Sequence, residues 1–508
     1  MYNKGRSLGR RNFLGAAGVL APVAGSLGAL QAADRPGAGP KNIIFMVADG
    51  MSAGVLALAD NFSQLARGKG LLWKALLSRP EATNALMDMS SLNSVTTDSS
   101  AAASSWGSGS RILNGWVNML PDGTRLTPIA AVARERGRRV GLVTTASVSH
   151  ATPAGFAAVS KGRSDEPAIA AQYLGLVDVV LGGGLNFFSA ARQSDKQDLV
   201  ERFRRGGYQW TPSRDELLAL LKSRPALTAD SKLLGLFSPS MAPYTLDRNN
   251  SAELQKSTPT LAEMTEAALA VLEKSPKGFL LQVEGARVDH AAHNNDAAAL
   301  VWEQIAFDEA IETVLKFAAW NPETLIVITT DHGNSNPGMG GRWAEYRSKT
   351  NGFAALAKAK QSFEKLMPAL AGPKKEKLEA GVVRDLATEG LGLEFSAEEV
   401  EAVRSAAAGV KGLCLNKRLD SMAGILGQAA GNHNGITWAS GDHTSDHVVL
   451  TALGPGRERF HGYLRNTRCF DNMADLMGSD FRNPSMTIED AMKHLRASVG
   501  RSDECHWV

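Results

Sequence analysis

Cysteine is scarce in this chain: Cys414, Cys469 and Cys505 are the only three among 508 residues. They lie far apart and form no C-x-x-C pair. A disulfide-built scaffold is therefore excluded, and a single bridge would leave an odd thiol. A bulk charge of one sign is missing as well. The formal net charge is +3, and Lys4, Arg6, Arg10 and Arg11 supply four positive charges within an acid-free first 33 residues, so the rest of the chain carries −1. That balance gives no support to a nucleic-acid-binding module. Internal repeats and low-complexity tracts are absent. No stretch after the N-terminal segment is long and apolar enough for a transmembrane helix.

The N-terminal segment reads LGRRNFLGAAGVLAPVAGSLGALQAAD. The Arg10-Arg11 pair precedes Asn12, Phe13 and Leu14, then an Ala/Gly-rich apolar stretch with small residues at Ala32 and Ala33. This pattern predicts a cleaved twin-arginine export signal over residues 1–33, and hence a periplasmic or secreted product. Gly and Pro interrupt the apolar run, which makes it a poor permanent membrane span.

What is present is a large potential core, with 44% hydrophobic residues. Short apolar runs at 42–47 (NIIFMV), 140–144 (VGLVT), 177–181 (VDVVL), 279–283 (FLLQV), 325–328 (LIVI) and 448–453 read as strands. Helical spacing fills 261–274 and 297–319. The alternation predicts an α/β fold with a large, mostly parallel central sheet and helices on both faces. Residues 34–508 read as one catalytic domain. From about 340 to 437 the pattern turns mainly helical, with a capping-box signature at Ser396 and Glu399, and reads as an insertion.

Functional groups in open α/β sheets gather at the carboxyl ends of strands. Asp49 follows the first strand, Thr152 lies in the loop after VGLVT, Glu284 follows FLLQV, and Asp331-His332 follows LIVI. Asp289 and His293 are four apart and share one helical face. Carboxylates and imidazoles of this kind suit zinc; taken singly, each also fits a cap or a solvated surface. His443 sits in SGDHTSDH. Six of the ten histidines fall in these windows: His150, His290, His293, His332, His443 and His447. The run TTDSSAAASSW at 96–106 predicts a helix N-terminus. A serine there, Ser99, sees free N–H groups and a partial positive charge, which favour both an alkoxide and a bound phosphate. Arg163 offers a guanidinium whose fork matches two phosphate oxygens.

Together VADGMS, TTDSSAAASSW, ATPA, LGGG, QVEGARVDHAAH, TTDHGN and SGDHTSDH resemble the alkaline phosphatase family, over about 41–340 and again about 437–500. The resemblance implies phosphate-monoester hydrolysis with Ser99 as the transiently phosphorylated nucleophile and Arg163 as the phosphate-binding residue. It implies one zinc held by Asp289, His293 and His443, and a second held by Asp49, Asp331 and His332. A third metal, magnesium, would be held by Asp49, Thr152 and Glu284. His150 and His290 stand where the enterobacterial enzyme has Asp and Lys, which leaves the third site open to zinc. The expected partners are small phosphate monoesters and inorganic phosphate, with a second copy of the chain in a homodimer. A phosphodiesterase or nucleotide pyrophosphatase on the same core is the alternative. A sulfatase is disfavoured, because no C/S-x-P-x-R setting surrounds Ser99.

Overall fold

The computed structural model describes residues 39–341, 351–370 and 378–499. The expected export signal and Cys505 lie outside them. Cys414 and Cys469 are both free thiols.

Ten strands form one sheet. They are β1 (Asn42–Ala48), β2 (Ala82–Asp88), β3 (Arg139–Ser147), β4 (Val179–Gly183), β5 (Tyr208–Trp210), β6 (Lys232–Leu236), β7 (Phe279–Gly285), β8 (Thr324–Thr329), β9 (Val448–Leu453) and β10 (Gly462–Arg465). Their order is β10-β2-β9-β8-β1-β7-β3-β4-β6-β5. Every pairing is parallel except those of β9, which runs antiparallel to β8 and β2. Strands β1, β7 and β8 are buried along their whole length. Their unbroken apolar runs follow from that, since neither face meets water. Alternate side chains feed two cores. Ile44, Met46, Leu281 and Ile328 pack on one face, and Ile43, Phe45, Leu280 and Val327 on the other.

The sequence pattern misses β2, β5, β6 and β10. β2 is the clearest case: it buries only alternate residues and leaves Leu86 half exposed, so it carries no continuous apolar signal. Thr152 also sits differently from expectation. It lies not in a loop but in the first turn of a helix, Ala151–Ala157. His150 is extended and starts that helix, and Pro153 falls within the first turn, where a missing N–H costs nothing.

Four helices position the site: α1 (Ser99–Ser108), α2 (Ala151–Ala157), α3 (Arg287–His293) and α4 (Ala297–Trp320). α1 and α2 meet through small residues. A Cβ on Gly107 would lie 2.0 Å from the Gly155 carbonyl oxygen, and one on Gly155 would lie 2.5 Å from the Ala103 Cβ. Between Gly338–Met339 and Ile436–Thr437, which pair antiparallel, the described residues are mainly helical. This helical unit has an apolar cluster of its own, including Phe363, Leu366, Val403 and Ile425.

Candidate active site

The carboxyl ends of β1, β7, β8 and β3 lie side by side, because register aligns Val47 with Glu284 and Thr329, and Glu284 with Thr144. Asp49 leaves β1 through Gly50, whose φ is +65°. A side chain at Gly50 would strike Asp289 at 2.3 Å, so glycine lets the turn close against α3. Asp331 Oδ1 accepts the Gly50 N–H at 2.8 Å. Glu284 closes β7, and α3 then presents Asp289 and His293 on one face.

Three groups of ligand atoms result, each spanning no more than 4.8 Å: Asp289 with His293 and His443; Asp49 with Asp331 and His332; and Asp49 with His150 and Glu284. Asp49 is shared by the last two. His150 stands with Asp49 and Glu284 in the third group, and the Thr152 hydroxyl is buried without a hydrogen-bond partner.

The donor chemistry fits divalent cations. His293 Nδ1 donates to the Gly441 carbonyl at 2.7 Å and His443 Nδ1 donates to that of Thr97 at 2.9 Å. These bonds fix the tautomers and leave both Nε2 atoms as acceptors. The two Nε2 atoms face one another at 3.0 Å, an arrangement that requires a shared cation or proton. Both Asp49 oxygens and Glu284 Oε1 are likewise buried without hydrogen-bond partners. Buried polar atoms are normally paired, so this cluster of orphans marks a place built for ions.

The crowded charges also shift one another's ionisation. Burial, then facing Asp331, Asp289 and Glu284, pushes the Asp49 carboxyl well above its usual range. Burial raises Glu284 to about 7. Burial works against a charged His293, yet neighbouring Asp289 raises it to about 9. Burial and then the His332 charge lower His443 to about 4.

Ser99 begins α1, whose N-cap Asp98 accepts the Ala101 N–H at 2.9 Å. Ser99 Oγ lies 3.2 Å from His332 Nε2. That nitrogen is 3.1 Å from Asp331 Oδ2 and 3.6 Å from Asp49 Oδ1. Arg163 stands at the same helix end. It bonds Asp98 Oδ2 at 3.0 Å and lies 3.3 Å from His150 Nε2. His290 packs edge-on to His150 with ring centres 5.8 Å apart. A polar cavity of about 770 Å³ opens outward past His293 and His443, lined also by Thr97, Asp98 and Arg418.

A family model described as alkaline phosphatase matches residues 40–478. The chain belongs to the alkaline phosphatase family. Alkaline phosphatase 4 of Bacillus subtilis (strain 168) is 29% identical over 383 residues, covering 73% of this chain and 74% of that relative. The solved structure of Thermus thermophilus alkaline phosphatase is similar at a TM-score of 0.81 and 34% identity, over 94% of this chain and 100% of that one. The cold-active alkaline phosphatase from a psychrophilic Shewanella sp. follows at 0.69 and 28%, over 86% and 99%. The chain is thus a metal-binding hydrolase of the alkaline phosphatase kind, acting on phosphate monoesters.

Within this alkaline phosphatase site, one histidine falls elsewhere. His447, just before β9, is exposed at the surface with its Nε2 2.9 Å from the Tyr463 hydroxyl. Two contributors escape sequence reasoning. Asp98 ties Arg163 to the start of α1, and Asn334 Nδ2 donates to Asp289 Oδ1 at 2.6 Å. Asp98 and Asn334 both lie inside quoted motifs, TTDSS and TTDHGN, which was the available signal. Among the described residues, no helix is long and apolar enough to cross a membrane.

Proposed function

We propose that this enzyme hydrolyses phosphate monoesters through a phosphoserine at Ser99, with two zinc ions and one magnesium. Asp289, His293 and His443 would hold the first zinc, and Asp49, Asp331 and His332 the second. Asp49, Glu284 and Thr152, with His150 alongside, would hold the third ion. Bound in the first two groups, divalent cations supply Lewis-acid stabilisation to the attacking and leaving oxygens.

The chain's own residues do the rest. Arg163, held by Asp98, engages the oxygens of the incoming phosphoryl group, and the N–H groups at the start of α1 face another. Ser99 Oγ gives up its proton and attacks phosphorus. The bond from phosphorus to the alcohol oxygen breaks, and the alcohol departs protonated. Water then attacks the phosphoserine, releasing inorganic phosphate and restoring the Ser99 hydroxyl. The observation that carries this reading is the 3.2 Å approach of Ser99 Oγ to His332 Nε2, beside a carboxylate shared by two ligand groups.

The test is Ser99→Ala. Turnover of p-nitrophenyl phosphate is expected to fall by at least about a thousandfold with bound metal retained. Acid quenching of the wild type is expected to trap phosphate on Ser99. Near-native rates in Ser99→Ala would remove the assignment. A diester turned over faster than a monoester would favour the phosphodiesterase reading instead.

The twin-arginine segment supports delivery of the folded enzyme to the periplasm or outside the cell, and family membership supports a homodimer. N-terminal sequencing of exported protein and light scattering of the purified enzyme test these two points.

A further inference from the structure

Helix Phe363–Leu370 of the helical unit docks on the catalytic body through polar links at its N-terminal end. Asp247 accepts from the Ser362 N–H at 2.8 Å and the Ser362 hydroxyl at 2.6 Å. Asp296 accepts from the Phe363 N–H at 2.6 Å. Asp247 and Asp296 hold the start of this helix, and Asp296 also caps α4 through the Ala299 N–H at 3.0 Å.

The third link runs inward. Arg287 is buried at the start of α3, with its guanidinium 3.7 Å over the Tyr244 ring. Nη2 donates to Glu364 Oε2 at 2.6 Å. Nη1 lies 3.0 Å from His290 Nδ1. Arginine offers donors only, so His290 Nδ1 accepts and the ring carries its proton on Nε2. His290 packs edge-on to His150. His150 Nε2 meets Arg163, and Arg163 meets Asp98 at the cap of the Ser99 helix. A continuous series of contacts therefore joins Glu364 of the helical unit to the arginine placed to hold phosphate.

We propose that Arg287 is a positioning residue for phosphate binding, held by Glu364 and acting through His290 on His150 and Arg163. The inference rests on the phosphomonoesterase reading above. A planar fork anchored at one tip by Glu364 and stacked on Tyr244 has its other tip fixed in direction, which orients the His290 ring. Losing Glu364 frees the fork without removing any group that touches substrate. Spatial continuity alone does not establish coupling, so a mutant cycle is the required evidence.

The experiment uses full-length, zinc- and magnesium-loaded enzyme with p-nitrophenyl phosphate, and reads kcat, KM and the inhibition constant of inorganic phosphate. Glu364→Gln and Arg287→Met are each expected to raise KM and the phosphate inhibition constant about tenfold, with kcat changed less than about threefold. The double variant is expected to be no worse than Arg287→Met alone, because both act through one contact. Asp247→Asn undoes a neighbouring link to the same helix. It is expected to lower the thermal midpoint and to leave phosphate inhibition within about twofold of wild type.

An unmoved inhibition constant in folded Glu364→Gln overturns the proposal. So does Asp247→Asn matching Glu364→Gln, since docking alone would then explain both. If Arg287→Met fails to fold, the comparison of Glu364→Gln with Asp247→Asn decides. A wild type without turnover overturns the phosphomonoesterase reading itself, whereas an active wild type with an unmoved constant in Glu364→Gln overturns only the coupling.

Discussion

Replacing Gly107 with alanine adds one methyl group where α1 crosses α2. The new Cβ would lie 2.0 Å from the Gly155 carbonyl oxygen and 2.8 Å from its carbon. Favourable contact lies near ~3.5 Å, so the helices must part by about 1 Å or more. Overpacking of this kind costs about 1–3 kcal/mol. The separation is felt where it matters, because α1 carries Ser99 and α2 carries Thr152 at their first turns. A misplacement of about 1 Å at reacting groups lowers rates by roughly a hundredfold. Global stability responds less: each kcal/mol moves the midpoint by about 2–4 °C in a chain of 150–250 residues, and by less in a longer one. The expected outcome is kcat/KM on an aryl phosphate down roughly a hundredfold, with the thermal midpoint lowered by a few degrees. Differential scanning fluorimetry and steady-state kinetics on the same preparation read both. Gly107→Ala with kcat/KM within about threefold of wild type would refute the claim that this contact sets the nucleophile's position.

Asn334→Ala removes the 2.6 Å hydrogen bond that orients Asp289, and is expected to weaken metal binding about 10–100-fold in a competitive chelator titration while the fold is kept. Asp308 accepts the Leu72 and Trp73 N–H groups, and burial raises its carboxyl from 3.8 to about 6. The folded chain then binds this proton more tightly than the unfolded chain, so the group's contribution to stability is largest at low pH and declines as pH rises through about 4 to 6. Asp308→Asn has no such titration. Its stability relative to wild type is expected to improve by about 1 kcal/mol between pH 5 and pH 8 in urea unfolding, and an unchanged difference would contradict the assignment.

The parts of the fold written in the sequence are those where one physical demand dominates. β1, β7 and β8 are covered on both faces, so their apolar runs are unbroken and legible. β2 meets the core on one face only, and its Thr83, Asn84 and exposed Leu86 hide it among loops. The candidate ligands were legible because strand ends gather function, so Asp49, Glu284 and Asp331-His332 could each be read from the strand before them. The groups that hold those ligands were not. Gly441 and Thr97 act through backbone carbonyls, which any residue carries, and their histidine partners come from distant parts of the chain. Counting histidines draws His447 into the centre, yet a window of sequence cannot tell which of two nearby imidazoles points inward. Arg287 and Glu364 are likewise ordinary charges until the helix carrying Glu364 is seen against α3.

Anomalous diffraction from crystals of catalytically active enzyme tests the central claim most directly. The account predicts one metal peak bounded by Asp289, His293 and His443, and a second bounded by Asp49, Asp331 and His332, with Ser99 Oγ directed at the second. Active crystals without metal at these positions, or with metal bound elsewhere in the chain, would contradict it.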